Sequence, residues 1–233
     1  DVRADGTQFK KKTAGSFWPL LAGISSRNQA DRLVQHLKNP EEFWRPMVFP
    51  TLSADEEEYR PDGGYWLGGV WAPTNVMIIK GRQNYGYEDF ATEATERYLS
   101  GMAQVFKETG TVWENYAPES LEPGNPAKGD FVGWTGSGPI ALLIENILGL
   151  RTDGVRQHLT WRLKRVDRHG IENLKVGDVQ VSVICEGRES SDSPAVLKVA
   201  SNKPFTLTVI HPSGEETFTL EEGEHIMTVG SSD

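Results

Sequence analysis

The spacing of apolar residues changes once along the chain, near residue 150, from a helical period to a two-residue period. A repeat near 3.6 buries one stripe of a helix, whereas a repeat of 2 buries one face of a strand. This predicts an α+β chain with a helical domain over residues 1–150 and a β domain over residues 151–233. Before the switch, Ala30, Leu33, Val34 and Leu37 recur at i, i+3, i+4 and i+7, with Ser25 or Ser26 as the cap. Pro73 opens TNVMIIKG, which is apolar on most sides and therefore buried. Ala91, Ala94, Tyr98, Met102, Val105 and Phe106 form one stripe over 88–109, stopped by Gly110, and a last helix runs over roughly 136–148. After the switch, HLTWRLKR, DVQVSVICE, KPFTLTVIH and TFTLEEGEHIMTV alternate between turn signals such as SSDSP and PSGEE. These runs read as a small antiparallel β-sandwich-like module.

Charge and motif content narrow the function. The net charge of −9 repels phosphate backbones and anionic lipid, so neither nucleic acid nor a membrane surface is an expected partner. No apolar run reaches the roughly 20 residues of a membrane span. A lone Cys185 forbids an internal disulfide and a thiolate-rich zinc site. The five histidines lack ligand spacing, and the consecutive carboxylates Asp55 to Glu58 read as a solvated loop, so neither a metal nor a cofactor is expected. No phosphate-cradling, nucleophile-elbow or zinc-protease motif occurs.

Six of the seven tryptophans lie before residue 140, most of them in two long loops. The first runs from Asn39 to Ala72 and holds Trp44, Tyr59, Tyr65, Trp66 and Trp71; the second, Thr111 to Thr135, holds Trp113, Tyr116, Phe131 and Trp134. Loops of this length are usually functional. WENYAPE sets Glu114 between an indole and a phenol, apolar neighbours that strip hydration from a carboxylate and suit it to proton transfer. Aromatic faces stack on the C–H faces of sugar rings, so carbohydrate is a natural ligand. The competing reading is that these aromatics only pin loops over helix ends.

FWPLLAGISSRNQADRLVQHLKNPEEFW, DGGYWLGGVWAPTNVMIIKGRQNYGY, WENYAPE and FVGWTG occur in that order. Over about residues 9–150 the chain thereby resembles glycoside hydrolase family 63, the mannosylglycerate hydrolase and mannosyl-oligosaccharide glucosidase group of inverting glycosidases, which is related to trehalases. The resemblance implies part of an (α/α)6-type barrel whose loops form a sugar pocket. It puts the general base on Glu114 and pocket-lining roles on Trp18, Tyr65, Trp66, Trp71 and Trp134; Trp113 and Tyr116 flank the base and join the candidate sugar-binding set. An inverting reaction also needs a general acid. The resemblance places that acid on an Asp well upstream of FWPL, for which this sequence offers no counterpart.

The expected function is therefore that of the C-terminal part of an inverting α-glycosidase, supplying the base. An N-terminal polypeptide or a second copy would complete the barrel, because the four or five helices predicted are too few to close one. The alternative is a non-catalytic carbohydrate-binding or structural module derived from such an enzyme. Two departures bear on substrate: Leu67 stands where the family usually has an Arg, and Gly69 where it has a Pro. Leu67 cannot present the fork of donors that a guanidinium offers to a carboxylate.

Overall fold

The computed structural model describes residues 2–230. Its helices are α1 (Trp18–Leu21), α2 (Arg27–Lys38), α3 (Ala72–Gln83), α4 (Glu88–Thr109) and α5 (Gly133–Leu142), and two compact units divide the chain, Asp1–Leu142 and Leu143–Asp233.

In the first unit α2 starts on a capping box. The Ser26 hydroxyl accepts the Gln29 N–H and the Gln29 side chain accepts the Ser26 N–H, which satisfies two of the donors a helix start leaves orphaned. Ala30, Val34 and Leu37 then face the core. Pro73 sits in the first turn of α3, and this helix buries residues on several sides, polar Thr74, Asn75 and Arg82 as well as Ile78 and Ile79. It packs against α1, α4 and α5. A side chain at Gly81 would strike the α1 backbone, its Cβ lying 2.7 Å from the Leu21 nitrogen. The stripe of α4 is buried through Phe90, Ala91, Ala94, Tyr98, Met102 and Val105, although Phe106 lies half in solvent. The helix ends at left-handed Gly110, whose N–H caps the Phe106 carbonyl.

Several polar side chains are buried in this unit, Asn75 and Arg82 among them. Asn75 of α3 accepts the Phe49 N–H at 2.9 Å and donates to the Phe49 and Trp71 carbonyls at 3.2 and 3.1 Å, so a loop backbone is buried without orphaned groups. Arg82 is fully buried with its guanidinium over the Phe49 and Phe90 rings, at 4.9 and 4.2 Å. Its Nη1 donates to the Phe90 carbonyl, its Nε and Nη2 have no partner, and burial pulls its pKa down to about 9.

The last helix starts earlier and ends earlier than the apolar pattern suggests. It begins at Gly133, contains Pro139, and is followed by a π-helical turn over Leu143–Ile147. Proline cannot donate to the carbonyl four residues back, so regular bonding is interrupted in this segment.

The second unit holds eight strands in two four-stranded sheets among the described residues. The strands are β1 (Leu150–Asp153), β2 (His158–Arg162), β3 (His169–Val176), β4 (Val179–Cys185), β5 (Ala195–Ser201), β6 (Phe205–His211), β7 (Gly214–Leu220) and β8 (Gly223–Val229). One sheet has the order β1-β2-β6-β7 and the other β3-β4-β5-β8. Leu159, Trp161, Leu207 and Val209 from the first and Val181, Val183, Leu197 and Val199 from the second belong to one buried cluster. The sheets are not wholly antiparallel: β2 and β6 pair in parallel, with Leu159 opposite Leu207 and Trp161 opposite Val209. The chain builds β3, β4 and β5 before returning, a crossover long enough for two strands to run in the same direction.

His169, on β3, is buried edge-on against Trp161. Its Nδ1 bonds the Asp167 carbonyl at 2.8 Å and its Nε2 has no partner, and burial holds its pKa below the ordinary 6.5. Protonation would bury a cation whose second N–H has no acceptor. Stability tied to neutral His169 is therefore complete above about pH 6.5 and is lost as pH falls through the lower folded value. Calorimetry of the β unit between pH 7.5 and 5 should show a falling transition temperature, and His169→Phe should flatten that slope. In the helical unit, Arg82→Met should leave denaturant stability unchanged or raise it by about 1–3 kcal/mol, because a buried charge with few partners is replaced by an apolar chain of similar length. Arg82→Ala, which opens a cavity, should lower it by about 3 kcal/mol.

Candidate active site

Two stretches of irregular backbone carry the aromatic residues, and short bridges join them. Val70 and Tyr116 exchange N–H···O bonds of 2.9 and 3.0 Å, Tyr116 bridges to Pro123, and Gly63 bridges to Asn125. Residues 114–117 thus form the middle line of a small ladder. Glu114 is the half-buried end of it, its N–H donating to the Lys128 carbonyl.

On one side of Glu114 stands a wall of rings. Trp66 and Trp71 stack face to face, centroids 4.4 Å apart and planes within 1°, and Tyr65 meets both edge-on. Trp134, near the start of α5, tilts against Trp71 at 5.9 Å and Phe131 against Trp134 at 5.0 Å. Trp71 is buried, while Trp66 at 52%, Trp134 at 42% and Tyr65 at 38% keep accessible faces. The turn that presents this wall depends on glycine: Gly63 and Gly64 have φ of 105° and 49°, and Tyr65 itself lies in the left-handed region at 61°. A non-glycine residue there is disfavoured by about 1–2 kcal/mol. Here the Tyr65 carbonyl accepts from the Trp71 indole (3.1 Å) and the Gly69 amide (3.1 Å).

The Tyr65 hydroxyl lies 3.4 Å from the Glu114 Oε1 and donates to it. Lost hydration and the adjacent carboxylate hold the phenol above its ordinary pKa, so it stays protonated as a donor. The Trp134 indole and the Thr135 hydroxyl both donate to the Glu114 main-chain carbonyl, at 3.4 and 3.5 Å. A half-buried carboxylate thereby sits at the edge of an aromatic floor, its main chain anchored and one oxygen in a long hydrogen bond with the Tyr65 hydroxyl.

The sequence-derived candidates separate into groups. Glu114, Tyr65, Trp66, Trp71 and Trp134 come together. Trp113 turns away: its indole donates to Thr109 at the end of α4 and its ring lies over Gly129. Tyr116 is buried, its hydroxyl accepting the Trp113 N–H, and burial pushes its phenol pKa up. Trp18 is half exposed on α1, and no ring contact joins it to the cluster among the described residues. The Thr135 and Trp134 bonds to Glu114 escape sequence reasoning, since nothing in FVGWTG announces a backbone partner twenty residues back.

Three of the four carboxylates at 55–58 are paired with lysines. Lys11 pairs with Glu56 and Glu58 at 3.0 and 2.6 Å, and Lys12 with Asp55 and, at 2.9 Å, with buried Glu42. His36 completes that network on Glu42 at 2.6 Å. Among the described residues no group of three His, Cys, Asp or Glu side chains is arranged to hold a metal.

Residues 1–135 match the family described as mannosylglycerate hydrolase MGH1-like glycoside hydrolase domain. The chain belongs to that family. This MGH1-like chain is 29% identical over 237 residues to an uncharacterized protein of Borreliella burgdorferi, covering 96% of this chain and 49% of that protein. It is 31% identical over 86 residues to the mannosylglycerate hydrolase of Thermus thermophilus, covering 37% of this chain and 20% of that enzyme. Over 60% of its length it shares a fold with 25% of the neutral trehalase Nth1 from Saccharomyces cerevisiae, with a TM-score of 0.50 and 21% identity. The chain spans about half, or less, of the length of these relatives. Glycosidase chemistry is thus the function class of the MGH1-like family to which this chain belongs.

Proposed function

We propose that the first unit supplies the base side and aromatic wall of the sugar pocket of an inverting α-glycosidase, as part of an (α/α)6-type barrel, and that the two sheets form a sandwich-like accessory module. The observation that carries this reading is the Glu114 carboxylate within 3.4 Å of the Tyr65 hydroxyl, whose ring meets the stacked Trp66 and Trp71 edge-on. Trp66 and Trp134 offer faces on which the apolar side of a pyranose can lie. Glu114 takes a proton from a water molecule as that water bonds to the anomeric carbon. The glycosidic C–O bond breaks on the opposite face, and its oxygen takes a proton from an acid about 6.5–9.5 Å away. The acid, and the helices that close the barrel, come in this reading from an N-terminal polypeptide or a second copy. Exposed Trp18, Leu21, Met77 and Ile140 on α1, α3 and α5 give those helices an apolar surface to cover.

Leu67 supports a neutral substrate. It is partly exposed beside Trp66, and the nearest cation along the loop, Arg60, is engaged with Asp62 at 3.3 Å. A substrate carboxylate placed there forgoes charge-assisted bonds of about 1.5–3 kcal/mol. Neutral gluco- or galacto-type α-linkages are therefore preferred over mannosylglycerate.

Assayed on aryl and disaccharide α-glycosides, Glu114→Gln in the full-length protein should lower kcat by a factor on the order of 10² to 10⁴ with binding much less affected. Unchanged turnover would remove Glu114 from the mechanism, and sugar binding without any hydrolysis by the natural protein would mark a non-catalytic binding module. Leu67→Arg should shift preference toward mannosylglycerate; a natural protein that already prefers that anion would overturn the neutral-substrate assignment.

A further inference from the structure

Asn115 follows Glu114 directly, and its side chain is completely buried. Its Nδ2 donates to the Pro126 carbonyl at 3.1 Å, whereas its Oδ1 has no hydrogen-bond partner. Three glycines face that oxygen. A Cβ on Gly124 would overlap Oδ1 outright and stand 2.8 Å from Cγ; one on Gly69 would lie 3.1 Å from Oδ1 and one on Gly63 3.6 Å. The glycines come from both segments that build the site, Gly63 and Gly69 flanking the aromatic turn and Gly124 lying between the bridges at Pro123 and Asn125. An unpaired buried acceptor costs roughly 1–3 kcal/mol, so packing alone would favour an apolar side chain here. What the carboxamide supplies is a wedge, tied at one end to Pro126 and set at the other in the space a Gly124 side chain would take, with Gly69 and Gly63 alongside.

We infer that Asn115 is a positioning residue for Glu114. Its carboxamide, seated in the socket of Gly63, Gly69 and Gly124, sets the separation between the Glu114 carboxylate and the wall of Tyr65, Trp66 and Trp71. This rests on the reading of Glu114 as the general base. The aromatic turn is fastened to the Glu114 segment at Val70–Tyr116 and Gly63–Asn125. Between those two fastenings the wedge occupies the space that a Gly124 side chain would take, so a change in its size moves the carboxylate relative to the sugar. A displacement near 1 Å at a reacting group costs about 10²-fold in rate.

The test uses the full-length protein, with turnover on an aryl α-glycoside and affinity for 1-deoxynojirimycin, a neutral iminosugar, measured side by side. Gly124→Ala should lower kcat about 10²-fold while KM and iminosugar affinity stay within about threefold. The pair Gly124→Ala with Asn115→Ala, which makes room for the added methyl, should recover at least tenfold of that loss. A purely structural role would instead lower the melting temperature and the active fraction and leave kcat per active site unchanged. That result, or a double variant no better than a well-folded single one, would overturn the assignment. If Gly124→Ala does not fold, Asn115→Ala alone decides: loss of the wedge should lower kcat about tenfold, and an unchanged kcat refutes it. Failure of the base reading is separately visible, as full activity in Glu114→Gln.

Discussion

Two hydrogen bonds between the backbones of Val70 and Tyr116 convert a pair of long loops into a single surface. They join the aromatic turn to the Glu114 segment directly, and the Gly63–Asn125 bridge ties the two segments a second time. Everything nearby adds to that clamp. Asn75 fastens Trp71 and Phe49 to α3, Trp134 and Thr135 hold the Glu114 carbonyl from α5, and the Tyr116 hydroxyl takes the Trp113 N–H from below. The site belongs to the loops in sequence but borrows its rigidity from the helices, where buried apolar stripes provide the stability that irregular backbone cannot.

Much of the helical unit is legible from residue spacing. The stripes of α2 and α4, the proline at the start of α3 and the glycine after α4 all act locally, through contacts within a few residues. The choice between Ser25 and Ser26 is settled by Gln29, which stands three residues after Ser26 and completes the capping box. Limits appear where distant partners decide. Three strands lack a clear sequence signature in this reading. β1 is four residues long, β3 is broken by a register shift between Ile171 and Leu174, and β5 carries Val196 and Lys198 outward in a run that also reads as a loop after SSDSP. The parallel pairing of β2 with β6 is a property of chain routing and leaves no mark on either strand alone.

The same division holds for the candidate site. Residue types are readable: aromatic faces, a carboxylate among them, and glycines at the turns. Their roles are not. Trp66 and Trp113 look alike in the sequence, yet one offers a face to solvent and the other spends its indole on Thr109. Gly63 and Gly69 read as permissive turn residues, whereas a Cβ on Gly69 would strike the Tyr65 carbonyl, and the space that Gly124 leaves empty is occupied by Asn115. Function here depends as much on where side chains are missing as on where they are present.

The stack of Trp66 on Trp71 has an optical consequence. Two indoles held parallel at van der Waals separation share their electronic transitions, so they absorb and rotate light as a coupled pair rather than as two chromophores. One member is buried and rigid and the other is accessible. Any molecule that slides over Trp66 or tilts it changes that coupling, so the aromatic wall carries its own spectroscopic signal of contact, with no label added.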